Sequence, residues 1–253
     1  MNRLYNSYYT QPNRLLPQPS IIENNTRFQS TDSEEQFKYN VKIQPADWKY
    51  RTKEVLYSAN SQYYRAPEWT DIEWGESVVI LGCSYVYGIG LAEDETISSQ
   101  LQNILKRPVV NLGVTSSGPT FAMHNSILLN KNFTTPWAVI SLWSDWYRIH
   151  EFVNENHINH YTATSDHTTR SFPCMWGNSI VNPEMHSYFS IIATREIWKS
   201  KTRYKSYSFW EPIEDTTKAI RQKLNDYARD MRHPGSESAV LAATMIAEDL
   251  LGV

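Results

Sequence analysis

Two short stretches, far apart along the chain, hold the residue types of nucleophilic catalysis. The first is Val78-Val79-Ile80-Leu81-Gly82-Cys83-Ser84-Tyr85-Val86-Tyr87-Gly88, and the second is Asp230-Met231-Arg232-His233-Pro234-Gly235. A serine hydroxyl is a weak nucleophile until a base takes its proton, and an imidazole is the side chain suited to that task near neutral pH. A carboxylate three residues before the histidine could hold the imidazole in the tautomer that leaves its far nitrogen free, and stabilise the imidazolium that forms. Each residue alone has a plainer reading. Ser84 would be a turn serine, His233 a packed or helix-capping histidine, and Asp230 the cap of a turn.

The surrounding elements must bring these stretches together. Val78 to Leu81 are apolar without polar alternation and end at a glycine, which predicts a strand buried on both faces of a parallel sheet. Gly82, Gly88 and Gly90 let the backbone turn, so Ser84 is expected at the carboxyl edge of the sheet, where open α/β proteins bind ligands. Thr96 can cap a helix with Ile97, Leu101, Ile104 and Leu105 on one face, ended by Pro108. Val109 to Gly113 reads as a second buried strand, which makes residues 78–112 a strand–helix–strand crossover. Pro119 suits the first position of the next helix, and Trp137 to Leu142 reads as a third strand. Three such units predict a doubly wound parallel sheet. The closing helix, capped by Ser236, is expected to bury Val240, Ala243, Ala247 and Leu251. Asp230 and His233 lie just before it, at the edge where loops that follow parallel strands open.

The remainder is less regular. Residues 1–40 are rich in Asn, Gln, Ser, Tyr and Pro and keep no period, so they read as an irregular arm. Such an arm either stays disordered or lies across a neighbouring subunit in a homo-oligomer. With an extended lead-in that includes a short strand at Val55-Leu56-Tyr57, the arm fills residues 1–75, and an α/β domain fills 76–253. Helices are expected from Pro183 or Glu184 to Lys201 and from Thr216 to Tyr227, with Tyr207 to Trp210 a weak strand. The polar and aromatic loop His157 to Asn182 falls within an expected insertion at about 146–215, over the active edge.

Composition narrows the classes. A chain of 253 residues, 41% of them hydrophobic, suffices for one α/β domain with an extension. A net charge of −3 gives no footprint for nucleic acid or an anionic membrane. No apolar run approaches the roughly 18 residues of a membrane span, and Met1 to Asn6 lack the apolar core of a secretory signal. A soluble protein, cytoplasmic or part of a particle, is expected. Cys83 and Cys174 are too few for a disulfide framework, and Cys83 reads as a small buried residue of the turn. His157, His160 and His167 with Asp166 match no structural zinc spacing, so no metal and no cofactor are expected. The 9 Trp and 16 Tyr suggest aromatic surface beyond the core. Trp143, Trp146, Trp176 and Trp210 are candidates for cleft walls whose flat rings suit sugar faces, with core packing the alternative.

Gly82-Cys83-Ser84-Tyr85 with Gly88 and Gly90, then Asn111-Leu112-Gly113, then Asp230-x-x-His233-Pro234-Gly235, resembles the SGNH or GDSL hydrolase family. These are serine esterases and acetylesterases with a three-layer α/β/α, flavodoxin-like fold. The resemblance covers about Val78 to Asp145 and Tyr227 to Gly252. It implies Ser84 as nucleophile, His233 as general base and Asp230 as its orienting partner. It also implies an oxyanion hole from the N–H of Ser84, from Ser116 where the family has glycine, and from Ser144 where it has asparagine, with Gly113 as an alternative donor. Cys83 stands where the family has aspartate. The implied activity is hydrolysis of a small-molecule or carbohydrate ester through an acyl-enzyme, deacetylation above all. Acyl transfer to a sugar, and a non-catalytic subunit built on the same scaffold, stand beside it as alternatives.

Overall fold

The computed structural model describes residues 9–18, 25–143, 148–154, 157–162, 183–209, 217–220 and 226–253. In chain order the longer elements are α1 (Glu34–Ile43), β1 (Val78–Gly82), α2 (Ser84–Tyr87), α3 (Ile97–Leu105), β2 (Val109–Gly113), α4 (Pro119–Asn132) and β3 (Ala138–Trp143). Then follow β4 (Arg148–Asn154), β5 (His157–Thr162), α5 (Pro183–Trp198), β6 (Arg203–Ser208), β7 (Thr217–Ala219) and α6 (Ser236–Leu251). Five strands form one parallel sheet in the order β2-β1-β3-β6-β7. Chain order reverses between β1 and β3, and that is where a doubly wound sheet opens a crevice beyond its carboxyl ends.

Period-two alternation divides the side chains of the central strands between two cores. Val79, Leu81, Val110, Leu112 and Val139 pack with Phe121, Leu128 and Leu129 of α4 and with Ile191 and Trp198 of α5. Val78, Ile80, Ala138, Ile140 and Leu142 pack with Ile97 and Leu101 of α3 and with Ala239, Ala242, Ala243, Ile246 and Ala247 of α6. The molecule is therefore a three-layer α/β/α protein, and β1 is buried along its whole length. Ile104 and Val240 and Leu251 are exposed, against expectation. The buried stripe of α6 runs instead through Ala239, Ala242, Ala243, Ile246 and Ala247, about one residue round the helix from the expected one.

The N-terminal arm departs most from its sequence reading. Its described part is not loose chain, for Leu15 and Leu16 are fully buried in the chain's own core. The Leu16 N–H donates to Asn125 Oδ1 at 3.0 Å, and the Tyr64 hydroxyl donates to the Leu16 carbonyl at 2.6 Å. Residues 34–43 form a helix where irregular chain was expected. Ser33 caps it by accepting the Gln36 N–H at 3.1 Å, with Glu34 and Glu35 in its first turn, and both features favour a helix N-terminus. Asn40 is its buried residue, which explains why no apolar stripe marks the helix in the sequence.

Other expectations also shift. Val55 to Tyr57 form no strand, since Tyr57 makes only an isolated bridge to Thr26. Thr217–Ala219 is an edge strand on β6 and not the start of a helix. The segment 146–215 is not one insertion, because α5 and β6 within it belong to the core layers. Its first part makes the antiparallel hairpin β4–β5. The remainder of the loop to Asn182 lies outside the described residues, as do Trp146, Trp176 and Trp210. No helix among the described residues is long and apolar enough to cross a membrane.

Because Leu16 is a fully buried side chain of this core, Leu16→Ala is expected to lower the unfolding free energy by about 2–5 kcal/mol. Urea denaturation followed by fluorescence measures this, and a loss within error of zero would mean that the arm is not part of the folded unit.

Candidate active site

The site begins where β1 stops. After Gly82 the chain passes through Cys83 in extended geometry and enters the single turn α2, with Ser84 its first residue. Two glycines make this approach close. A Cβ on Gly82 would lie 2.4 Å from Val86 Cγ2, and one on Gly113 would lie 2.2 Å from the Tyr87 backbone nitrogen. Asn111 secures the turn from β2, donating to the Val86 carbonyl at 2.8 Å and to Ser98 Oγ at 3.2 Å. Gly88, with φ +82°, ends the turn in the left-handed region. Ser84 is thus held rigidly at the carboxyl edge of the sheet, 6% exposed.

Asp230 and His233 sit in a tight loop just ahead of α6. The Ala228 N–H donates to the His233 carbonyl at 2.9 Å, and the Gly235 N–H to the Asp226 carbonyl at 3.0 Å. The Asp226 carboxylate accepts the N–H groups of Glu237 and Ser238, both at 3.0 Å. Asp226 therefore satisfies the first turn of α6, where Ser236 was expected to be the cap, and Ser236 is instead the first helical residue. A Cβ on Gly235 would lie 2.2 Å from Asp226 Oδ2, which accounts for the glycine.

These constraints bring the three residues of the sequence reading together. Ser84 Oγ lies 2.9 Å from His233 Nε2, and His233 Nδ1 lies 2.7 Å from Asp230 Oδ2. Asp230 is fully buried. Its Oδ1 accepts the backbone N–H groups of Arg232 at 3.0 Å and of His233 at 3.1 Å. Burial alone would push this carboxyl up, but the hydrogen bond and charge of His233, then Thr31 and the Arg232 N–H, outweigh it and hold the group below the usual carboxylate value. An ionised carboxylate can only accept, so the proton between Asp230 and His233 belongs to Nδ1. That leaves a lone pair on Nε2 facing the serine hydroxyl. The Tyr85 ring stands edge-on to the imidazole with centroids 5.4 Å apart, and Phe209 stands edge-on to Tyr85 at 4.5 Å.

The residues expected around an oxyanion fare unevenly. As the first residue of a helix, Ser84 has a backbone N–H without an intrahelical acceptor. Ser116 lies in the turn after β2, exposed and with φ +60°. Ser144 is outside the described residues. The Gly113 N–H donates to Asn111 Oδ1 at 2.9 Å, so it is already engaged and not open to serve as the alternative donor. Trp143 is no cleft wall: it is 1% exposed, and its indole N–H donates to Ser206 Oγ at 2.7 Å. Cys83 is a buried free thiol packed in the α3–α6 core. Among the described residues no group of three His, Cys, Asp or Glu is placed to hold a metal ion.

Sequence reasoning missed the support that the arm gives this loop. The Thr31 hydroxyl donates to Asp230 Oδ2 at 2.6 Å. The neighbouring Asp32 is fully buried and pairs with Arg229, whose Nη2 is 2.7 Å and Nε 3.0 Å from its carboxylate oxygens. Asp32 also accepts the Tyr57 hydroxyl at 2.6 Å, and that hydroxyl accepts the Gly90 N–H at 2.7 Å. Burial, then Asp32, push the Tyr57 phenol well above its ordinary value, so it stays a donor. A lone Thr-Asp pair in a polar arm gives no periodic signal; the capping pattern from Ser33 was the one cue that the segment is ordered.

No family model matches the sequence, and no curated protein matches it. Among solved structures, the chain is similar to an acetyl xylan esterase from the rumen bacterium Butyrivibrio proteoclasticus, at 11% identity and a TM-score of 0.46 over 72% of this chain. The match spans 65% of that esterase's length. It is also similar to a carbohydrate acetylesterase family member from Sinorhizobium meliloti, at 12% identity and a TM-score of 0.34, over 70% of this chain and 100% of the other.

A carboxyl held below its unfolded value stabilises the fold at pH above that unfolded value, near 4, and loses the contribution as pH falls through the folded one. Asp230 is such a group. Asp230→Asn is therefore expected to flatten the loss of stability below about pH 4 while lowering stability at neutral pH. Urea midpoints from pH 2 to 7 check this; an acid limb as steep as in the wild type would contradict it.

Proposed function

We propose that this protein hydrolyses carboxylic esters through a serine acyl-enzyme. The observation that supports the reading is the continuous hydrogen-bonded line Ser84 Oγ, His233 Nε2, His233 Nδ1, Asp230 Oδ2, with steps of 2.9 and 2.7 Å. Both lie within the reach a base needs for the proton it removes.

In the forward step His233 Nε2 takes the proton of Ser84 as Oγ attacks the ester carbonyl. Negative charge collects on the carbonyl oxygen, and the Ser84 N–H at the head of α2, which has no intrahelical acceptor, would donate to it. Asp230 stabilises the imidazolium without taking its proton. The imidazolium then protonates the departing alkoxide, and the C–O bond breaks to leave acylated Ser84 and free alcohol. Water enters, gives a proton to Nε2 and attacks the acyl carbon; the proton returns to Oγ as the acid leaves.

Acetyl groups on carbohydrate are the substrate class we favour. A small acyl group suits a serine that is 6% exposed, and Tyr85, beside His233 and half-buried, offers an aromatic surface to a sugar leaving group.

Ser84→Ala and His233→Ala are each expected to lower kcat/KM for aryl acetates and acetylated glycans by at least about 10³-fold, and the double variant by little more, since the residues act as a unit. Turnover kinetics test this. Retention of wild-type rates in Ser84→Ala would overturn the proposal.

A further inference from the structure

The arm reaches the site through one built contact. Gln29 and Asp32 exchange both backbone hydrogen bonds at 3.0 Å, closing a two-residue turn over Ser30 and Thr31, with Ser30 at φ +54°. Thr31 is at the tip, and its hydroxyl points at Asp230 Oδ2, the same oxygen that accepts His233 Nδ1–H. Both flanks of the turn are anchored. Arg229, the residue next to Asp230, holds both: its guanidinium pairs with Asp32 after the tip, and its Nη2 donates to the Arg27 carbonyl before it. Directly after Asp32, Ser33 caps α1, and from that helix Asn40 Nδ2 donates to the Arg229 carbonyl at 2.9 Å. The Arg229 N–H in turn donates to the Gly90 carbonyl at 3.0 Å, and the guanidinium lies 4.9 Å from the Phe28 ring centre and 5.2 Å from that of Phe37.

We propose that Thr31 is a positioning residue for the serine–histidine pair: held by the Asp32–Arg229 clamp, its hydroxyl fixes the rotation of the Asp230 carboxylate and so the imidazole that Asp230 orients. This rests on the esterase reading only for its consequence in rate. The contact makes a chemical demand that packing alone does not. A carboxylate oxygen has room for two donors, and with both present Oδ2 is held in one place while Oδ1 is held by two backbone N–H groups. Remove the hydroxyl, and Asp230 keeps its charge and burial but loses the donor that opposes the pull of Nδ1–H. Pivoting on the two N–H bonds to Oδ1, the carboxylate can then tilt with the ring, and the line from Oδ2 through the ring to Ser84 Oγ bends. Among the described residues, the Ser84 hydroxyl and the Tyr85 ring face His233 and the Arg229–Asp32 pair lies beside Asp230, and none of these is hydrogen-bonded to Oδ2.

Thr31→Val keeps the shape of the side chain and deletes its hydroxyl, whereas Thr31→Ser keeps the hydroxyl. Two measurements on the full chain separate the outcomes: the rate of covalent labelling of Ser84 by a fluorophosphonate, and the downfield proton resonance of His233 Nδ1–H. Thr31→Val is expected to slow labelling on the order of 10-fold and to shift the Nδ1–H resonance, with Thr31→Ser restoring both and the melting temperature of either variant staying close to wild type. Labelling at the wild-type rate with an unmoved resonance in Thr31→Val overturns the proposal. If even the wild type is not labelled while the resonance still moves in Thr31→Val, the positioning role stands and the esterase reading falls. If neither labelling nor the shift is seen, both fall.

Discussion

A neutral imidazole accepts a proton only at the nitrogen that carries none, and which nitrogen that is can be decided by something that needs a donor at the other. In this protein that something is a carboxylate buried completely in the fold, already taking two backbone N–H groups on its other oxygen. Ionised, it can only accept, so it fixes the proton on Nδ1 and aims the Nε2 lone pair at Ser84. A neutral acid there, or a carboxylate turned away, would leave the ring free to present either nitrogen. The chemistry proposed for the site depends on this one hydrogen bond, and the local structure around it holds the carboxylate in place.

Glycines and short loops provide the precision. Ser84 can stand at the edge of the sheet only because β1 and β2 run close enough for Gly113 to touch the backbone of α2. The Asp230–His233 loop can press against the same edge only because Gly90 admits Ala228 and Arg229, where a Cβ would stand 2.8 Å from the Ala228 side chain. Backbone contacts of this kind do not relax as side chains do, and a serine and histidine held on rigid elements keep the sub-ångström placement that the proposed reaction demands.

Much of this was legible in the chain. Apolar runs, unbroken in β1 and interrupted only by Asn111 in β2 and Ser141 in β3, marked these strands, since strands covered on both faces need no alternation, and the crossover helices between them showed their starts in Thr96 and Pro119. Ser84, Asp230 and His233 could be paired because parallel topology sends every loop after a strand to one edge. What escaped notice was held by polar contacts without period. The helix 34–43 buries an asparagine and no apolar stripe, the edge strand Thr217–Ala219 is too short to alternate, and Asp226 caps α6 from ten residues before Ser236. The arm looked like loose polar chain because its task, a threonine hydroxyl and an aspartate set against one loop, leaves no mark in hydrophobic patterning. Gly113 failed as a donor for a similar reason: only the structure shows that the side chain two residues earlier has taken its N–H.

The most direct test of the central claim is to look for the acyl group itself. The protein is mixed with an aryl acetate, quenched in acid within the first turnover, digested, and its peptides weighed. One acetyl group on the peptide that contains Ser84, absent from Ser84→Ala and appearing far more slowly in His233→Ala, is the predicted result. Ester turnover by the wild type with Ser84 unmodified at every quench time, or an acetyl group that appears equally fast without His233, would contradict it.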